Sequence, residues 1–329
     1  MFQLGAGPLE IELLVIPDAT LILVVAVIEP LRAANRLHGR ELYSWTITTP
    51  DGKPVTTTAG VPIPAERAFE PGSSSAPLFV LASYNEAEHA GRALVRRIGA
   101  ARTRSHIVGV ESGSWLIARA GLLDGRRAAV HWEDRDDFAA AFPEVDVRPD
   151  RFVVDGRRIT TGGASPALDL MLELVAARQG FATALQVSRL FIYDQARLPD
   201  EPQRSAAFGR LTMRDGRVAA AVRIMEETID EPLPVSVIAR RAGVTARHLQ
   251  ALFADVLNIL PQAYYHALRF NQGRRLLLET RLPVLEVAGR CGFGSPGSFS
   301  RAYRHHFGES PSATRRLRRQ AREGAPAVS

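Results

Sequence analysis

Cysteine is almost absent from this sequence, in which Cys291 is the only one among 329 residues. A single cysteine excludes a disulfide framework and a thiolate metal cluster, and Cys291 is not an obvious catalytic thiol because it lies within a glycine-rich helical pattern. The sequence also has no Walker A motif and no dinucleotide-binding fingerprint. We therefore expect no cofactor and no metal ion.

Long hydrophobic runs are also missing. The longest, residues 21–28, is far shorter than the roughly 18 residues that a membrane-spanning helix needs. The amino terminus, MFQLGAGPLEIE, has no basic segment of the kind that opens a secretory signal. These absences predict a cytoplasmic protein without membrane contacts, in which residues 21–28 form a helix buried against a sheet or a second subunit.

Lysine occurs once, at Lys53, so that 40 of the 41 basic residues are arginine. The charge is unevenly distributed. Residues 204–323 contain 20 arginines and 10 acidic residues, a net charge of +10, whereas residues 1–203 contain 21 basic and 25 acidic residues, a net of −4. The carboxyl-terminal region is therefore the candidate nucleic-acid-binding part of the chain.

A helix-turn-helix pattern occupies residues 287–311. Ala288 is small enough for two helices to cross closely, and Gly292 allows the turn between them. Ser295 and Pro296 suit the cap and the first position of the second helix. Aromatic residues spaced by four then predict its buried face, namely Phe299, Tyr303 and Phe307.

The same pattern occurs about 50 residues earlier, at Ala239, Gly243, Thr245, Leu249 and Phe253, and the turn of the later copy is one residue longer. In each copy a proline stands eight residues after the matching aromatic, Pro261 after Phe253 and Pro311 after Tyr303. The repeat predicts two helix-turn-helix units.

Residues 215–318 resemble the DNA-binding domain of the AraC/XylS family of transcription regulators, most closely in GFGSPGSFSRAYRHHFGESP. The resemblance implies an all-α domain, in which a helix at residues 261–280 joins two units that enter successive major grooves of double-stranded DNA. It assigns base contacts to Arg247, Gln250, Ser300 and Arg301, and a phosphate contact to Arg304.

Four residues depart from the family pattern. Ala251 and Gly297 occupy base-facing positions but offer no side-chain hydrogen bond. Leu260 replaces the hydroxyl residue that usually caps the linking helix, and Asn258 stands where glycine is common. Because asparagine tolerates the left-handed conformation, we expect the fold to persist.

The first 195 residues alternate short apolar runs with helical patterns, which predicts a parallel sheet covered by helices on both faces. The predicted strands are residues 12–17, 43–49, 78–82, 106–110 and 128–131. The predicted helices are residues 29–37, 88–98 and 114–122. In such sheets, ligands bind at the carboxyl ends of the strands.

Three segments of this region resemble the PfpI-type class I glutamine-amidotransferase-like domains that are fused to AraC domains in GlxA-like regulators: EPLRAANRL, GVESGSWLIARAGLLDGRRAAVHWED and ITTGGASPALDLMLELVA. The resemblance implies a flavodoxin-like α/β domain at residues 1–195 that senses a ligand and dimerises. It is strongest to the branch linked to catabolism of betaine, carnitine or arginine. A linker at 196–208, a DNA-binding domain at 209–320 and a disordered tail at 321–329 complete the predicted organisation.

Glu111 lies where enzymatic relatives have a nucleophilic cysteine at the turn from a strand to a helix. A carboxylate cannot perform thiolate chemistry, and the residues around Ser112 do not form a G-x-S-x-G motif, so we expect no enzymatic activity. We expect the helix dipole to keep Glu111 ionised. The acidic segment with Glu133 and Asp134, and with Asp136 and Asp137, is interpreted as a solvated surface.

An anionic Glu111 near aromatic rings suits a small cationic metabolite. The candidate ligand-binding residues are Glu111, Ser112, His131, Trp132, Tyr84 and Asn85, and Trp115 flanks the same region in the sequence. The alternative interpretation is that Glu111 only caps its helix and the tryptophans belong to the core.

The sequence therefore predicts a DNA-binding transcription regulator that responds to a small-molecule effector, forms a homodimer and contacts RNA polymerase. Activation is the tendency of the resembled family. Two alternatives remain at this point: a ligand-independent DNA-binding regulator, and an amidotransferase-like hydrolase with a DNA-binding tail.

Overall fold

The computed structural model describes residues 7–193, 215–280 and 282–316. The chain divides into two compact units, Met1–Ser205 and Ala206–Ser329, and each is described by itself. The predicted linker at 196–208 and the predicted tail at 321–329 lie outside the described residues. No helix within the described ranges has both the length and the apolar character needed to cross a bilayer.

The first unit is built on a seven-stranded sheet with the order β10-β11-β7-β6-β1-β2-β5. All neighbouring strands run parallel except β10, which pairs antiparallel with β11. Two short ladders, β3-β4 and β8-β9, lie beside it. The strands are β1 (Leu9–Val15), β2 (Tyr43–Thr49), β3 (Val55–Thr56), β4 (Pro62–Ile63), β5 (Arg67–Ala68), β6 (Leu78–Ala82), β7 (Ile107–Glu111), β8 (Arg127–Ala129), β9 (Asp146–Arg148), β10 (Phe152–Asp155) and β11 (Arg158–Thr161).

Helices cover both faces of this sheet, as the alternating pattern predicts. The core on one face lies under α1, α6 and α7, and the core on the other lies under α3, α4 and α5. The helices are α1 (Leu21–His38), α2 (Glu86–His89), α3 (Arg92–Ala100), α4 (Gly113–Arg119), α5 (Arg135–Ala141), α6 (Ala164–Gln179) and α7 (Phe181–Leu190). The order of the central parallel strands, β2-β1-β6-β7-β11, is that of a flavodoxin-like fold.

Three elements differ from their predicted form. The run 21–28 is the first half of α1, so the helix expected at 29–37 starts eight residues earlier. The helix predicted at 88–98 is two helices, because the chain leaves the helical conformation at Ala90 and Gly91. The strand predicted at 128–131 is β8, which pairs with β9 outside the main sheet.

The second unit is helical and contains both predicted helix-turn-helix pairs. The first pair is α9 with α10, and the second is α12 with α13. The helices in the described residues of this unit are α8 (Gly216–Glu227), α9 (Val235–Arg241), α10 (Ala246–Leu257), α11 (Pro261–Glu279), α12 (Val284–Arg290) and α13 (Pro296–Phe307), and further helical residues begin at Pro311.

The capping signals in the sequence are present in the structure. Thr245 Oγ1 accepts the His248 backbone N–H, and Ser295 Oγ accepts the Ser298 N–H. Asn258 ends α10 in the left-handed conformation, with φ of 52°, which confirms its expected tolerance. Leu260 makes no side-chain cap, and α11 starts with proline instead.

The linking helix α11 holds both pairs. The Tyr265 hydroxyl donates to the Thr228 carbonyl oxygen at 2.5 Å in the first half of the domain. In the second half, Arg269 donates from Nε and from Nη2 to the carbonyl oxygens of Cys291 and Gly292, both at 2.8 Å. The same guanidinium lies 4.3 Å from the centre of the Phe293 ring. A buried arginine thus fixes the turn of the second helix-turn-helix.

Cys291 lies in that turn and is fully buried. Burial raises the pKa of its thiol to about 12, so the thiolate is scarce at neutral pH. The cysteine is therefore part of the core of the second helix-turn-helix.

We expect Ellman's reagent at pH 8 to modify Cys291 at least about 100-fold more slowly in the native protein than in urea, because both access and ionisation are suppressed. Arg269→Met should speed the native reaction. Two buried carbonyl groups lose a charged donor, which destabilises the turn that buries Cys291. The exposed Arg240→Met serves as the matched control and should not change the rate. Equal rates for native and unfolded protein would contradict the burial of this thiol.

Candidate ligand pocket and DNA-binding surface

The turn from β7 to α4 is shaped by two glycines. A Cβ atom placed on Gly113 would lie 1.9 Å from the Val80 carbonyl oxygen, and one on Gly109 would lie 2.8 Å from the Ser114 Cα. The helix therefore sits directly on the sheet. Between the glycines, Glu111 adopts φ of 55°, a conformation that residues other than glycine rarely take.

Adjacent strands supply the polar groups around this turn. The Glu111 carboxylate is hydrogen-bonded by the side chain of Ser83, which follows β6. Ser83 Oγ in turn accepts the backbone N–H of Thr20 at 3.0 Å, at the start of α1. The carboxyl ends of β1, β6 and β7 thus meet at one polar site, as expected for an open α/β sheet.

The pKa of the Glu111 carboxyl differs from the expectation. Burial is the main cause that raises its pKa, from 4.5 to about 7, and the nearby Asp134 and Glu133 carboxylates add to the shift. The hydrogen bond from Ser83 opposes the shift without reversing it. The expectation that Glu111 keeps its charge is therefore met only in part, because desolvation and two like charges raise the pKa of its carboxyl to about 7.

The acidic segment before α5 contains both half-buried and exposed residues. Glu133 and Asp134 are half-buried and act on Glu111, whereas Asp136 and Asp137 are exposed. The interpretation of the whole segment as a solvated surface is thus correct for the last two residues only.

His131 and Glu111 come together at the turn before α6. A Cβ atom on Gly163 would lie 3.7 Å from both Glu111 Oε2 and His131 Cδ2. The His131 Nδ1 accepts the Glu133 backbone N–H at 3.4 Å, a weak hydrogen bond. Trp132 stands next to His131, with its ring centre 5.6 Å away, and is exposed, as is Tyr84 after β6.

Asn85 belongs to a second polar cluster at the same edge of the sheet. Its amide donates to Asp18 Oδ2 at 3.0 Å, and His89 Nε2 lies 2.8 Å from the same oxygen. Asp18 and Asn85 share the left-handed conformation of Glu111. Three non-glycine residues at the carboxyl ends of β1, β6 and β7 are thus held in a costly conformation, which is a common property of binding sites.

Two of the residues considered near the turn do not line an open pocket. Trp115 packs edge-to-face on Phe138 and Phe142, with ring centres 4.9 and 5.7 Å away, so the core interpretation holds for this tryptophan. Ser112 is buried at the start of α4.

Sequence reasoning missed three residues near this site, Asp18, Ser83 and His89. Asp18 and Ser83 follow the strand ends as Tyr84 and Asn85 do, so position after a predicted strand could have identified them. The described residues contain no group of three or more side chains able to hold a metal ion.

The predicted DNA-contacting residues lie on the second helices of the two pairs. Arg247 and Gln250 are exposed on α10, opposite the buried Leu249 and Phe253. On α13, Arg301 and Arg304 are exposed and Ser300 is half-buried, opposite the buried Phe299 and Tyr303. This exposure is what contact with base edges and phosphates requires.

Comparison with known proteins agrees with this architecture. A family model described as a helix-turn-helix domain matches residues 238–317. The transcriptional regulator CdhR of Pseudomonas aeruginosa is 37% identical over 303 residues, which cover 92% of this chain and 90% of CdhR. This chain belongs to the AraC-type helix-turn-helix transcriptional regulators. GlxA of Rhizobium meliloti, also named a transcriptional regulator, is 34% identical over 93% of this chain and 95% of its own.

Solved structures resemble the amino-terminal unit of this regulator. A THiJ/PfpI family protein from Pseudomonas syringae is 26% identical, with a TM-score of 0.50, over 63% of this chain and 85% of its own. An AraC family transcriptional regulator from Pseudomonas putida, 21% identical, shares the fold with a TM-score of 0.51 over 56% of this chain and 100% of its own. The amidotransferase-like assignment of the first unit is thereby confirmed.

The raised pKa of Glu111 predicts a dependence of stability on pH. Because ionisation is less favourable in the folded state, wild type loses stability relative to Glu111→Gln as pH rises from about 4.5 to about 7. We expect the variant to be more stable by about 1–3 kcal/mol above pH 7 and equal to wild type near pH 4.5. Tryptophan fluorescence during thermal unfolding measures this, because all 3 tryptophans lie in the first unit.

The exposed Asp136→Asn is the control and should follow the wild-type curve at every pH. A constant difference between Glu111→Gln and wild type from pH 4.5 to 8 would contradict the perturbed carboxyl group.

Proposed function

We propose that the amino-terminal domain of this regulator binds a small cationic metabolite beside Glu111 and thereby controls DNA binding. The observation that carries the proposal is the half-buried Glu111 carboxyl, with two further carboxylates acting on it. A bound cation offsets the mutual repulsion of these groups and favours the ionised form of Glu111.

The surroundings suit an organic cation better than a metal ion. Trp132 and Tyr84 are exposed aromatic rings at the carboxyl edge of the sheet, and aromatic faces attract ammonium and guanidinium groups. His131 and Asn85 offer polar contacts, whereas the buried Ser112 acts only through the backbone of the turn.

We further propose that the domain has no amidotransferase activity. Glu111 occupies the strained position at the end of β7 where a nucleophile is exposed in enzymes with this turn. Cys291 lies in the other unit, is buried and holds its proton. Neither residue supplies a thiolate to the turn.

In this proposal Arg247, Gln250, Ser300 and Arg301 read bases, and Arg304 contacts phosphate. The regulator acts in the cytoplasm as a homodimer and recruits RNA polymerase as an activator. The domain limits proposed are residues 1–195, 196–208, 209–320 and 321–329.

Ligand binding is tested by thermal shift of the full chain with choline and with 3,3-dimethyl-1-butanol, its uncharged carbon analogue, and with agmatine. A cation that binds the folded state raises the melting temperature, and the neutral analogue should not. Glu111→Gln should weaken binding at least about tenfold, because the cation loses a carboxylate partner.

Asp136→Asn is the matched control, since it removes an exposed acidic group of the same region. If no cation from a broad amine library shifts the melting temperature, the first unit is a structural domain and the regulator is ligand-independent.

Base reading is tested on an operator selected from random DNA. Arg301→Ala should cost about 1–3 kcal/mol at one base pair and relax the preference there, because its guanidinium is lost from a base edge. Arg304→Ala should weaken binding to all sequences alike and reduce the salt slope by about 1. Fluorescence anisotropy across single-base operator variants distinguishes the base contact of Arg301 from the phosphate contact of Arg304. Uniform weakening by Arg301→Ala would assign that residue to the DNA backbone.

A further inference from the structure

Arginines gather at the amino edge of the central sheet, at the opposite end of β7 from Glu111. Because β7 and β11 run parallel, their amino ends lie side by side. The residues that precede or open β7, β8 and β11 there include five arginines, which we call the arginine cluster: Arg102, Arg126, Arg127, Arg157 and Arg158.

Hydrogen bonds and an ion pair bring these side chains together. Arg158 donates from Nη2 to the Arg102 carbonyl oxygen at 3.0 Å, and from Nη1 to the Arg157 carbonyl oxygen at 3.3 Å. Arg126 Nη1 lies 3.4 Å from Asp155 Oδ1, at the end of β10. Asp155 supplies the one carboxylate in this set of contacts, so the cluster keeps a surplus of positive charge.

The charges of the cluster act on neighbouring groups. The pKa of the Arg158 guanidinium is lowered from its usual value, chiefly by burial and further by three neighbouring arginines. Burial also lowers the pKa of His106, just before β7, and Arg157 and Arg158 add to that shift. A positive field therefore surrounds this edge, in a region of the chain whose net charge over residues 1–203 is −4. A bound anion would relieve the repulsion.

The guanidinium groups are accessible to a partner. Arg102 and Arg157 are exposed, and the side chains of Arg126 and Arg127 keep 42% and 59% of their surface open to solvent. The planar guanidinium group matches the oxygens of a phosphate with paired hydrogen bonds. An exposed cluster of such groups suits a chain of phosphates.

DNA is the phosphate partner that this chain meets at the highest local concentration. The second unit is the helix-turn-helix domain of a DNA-binding regulator. Because both units belong to one chain, a duplex held by the second unit is presented to the first at a high effective concentration. A free anion or an acidic protein has no such advantage.

We propose that the arginine cluster binds the phosphate backbone of DNA that flanks the operator. Such contacts add affinity without reading the sequence. The proposal does not depend on a cation at Glu111, because the cluster lies at the other edge of the sheet.

The test is fluorescence anisotropy of the full chain on two duplexes over a series of salt concentrations. One duplex contains only the selected operator, and the other adds about 20 base pairs, roughly two helical turns, of random sequence on each side. Wild type should bind the longer duplex more tightly and with a steeper salt dependence, because additional counterions are released.

Arg102→Ala and Arg157→Ala should each reduce the salt slope on the longer duplex by about 1 and weaken binding there at least about threefold at about 50 mM salt. Their binding to the short duplex should equal that of wild type, which also shows that the variants are folded. Arg92→Ala is the matched control, because it removes an exposed arginine of α3 outside the cluster and should behave like wild type on both duplexes.

Wild-type affinity that does not rise with the flanking DNA would overturn the proposal. An equal rise in wild type, Arg102→Ala and Arg157→Ala would also overturn it, because the added contacts would then come from another surface. Polyglutamate is the probe for an acidic protein partner. If it binds wild type but not Arg157→Ala, while the flanking DNA adds nothing, the cluster belongs to an acidic protein and the DNA proposal is rejected.

Discussion

The close approach of α4 to the sheet is the constraint on which the amino-terminal site depends. Gly113 lies so near the Val80 carbonyl that no side chain fits there. Two residues earlier, Glu111 adopts the left-handed conformation at the edge where β1, β6 and β7 end. In an enzyme the same turn would present a nucleophile. The same backbone conformation can therefore hold a nucleophilic side chain or, as here, a carboxyl group.

Opposing effects set the pKa of the Glu111 carboxyl at this turn. A carboxyl group that is partly desolvated and faces two others has its pKa raised to about 7. Such a group binds a proton or a cation in competition. The arrangement is costly for the fold, and the proposed cation site would make use of it, since backbone strain is common at binding sites.

The sequence predicted features that depend on local spacing and missed those that depend on distant residues. The two helix-turn-helix pairs follow from caps and buried aromatic positions with fixed intervals, as at Ser295 and Phe299. The break at Gly91 was missed because neighbouring residues keep a helical pattern. The state of Glu111 was also missed, because Asp134 acts on it only after the strands and helices have assembled.

The length of helix α11 sets the distance between the two helix-turn-helix pairs. Its 19 residues span about 28 Å at 1.5 Å per residue, near the ~34 Å of one turn of B-DNA. Tyr265 hydrogen-bonds to Thr228 in the first half of the domain and Arg269 to Cys291 in the second, so α11 is tied to both halves. Inserting one residue between the fastened ends would turn one reader by about 100° relative to the other. Under the proposed DNA contacts of α10 and α13, an operator should tolerate single base changes but not a changed spacing between the two sites that these helices contact.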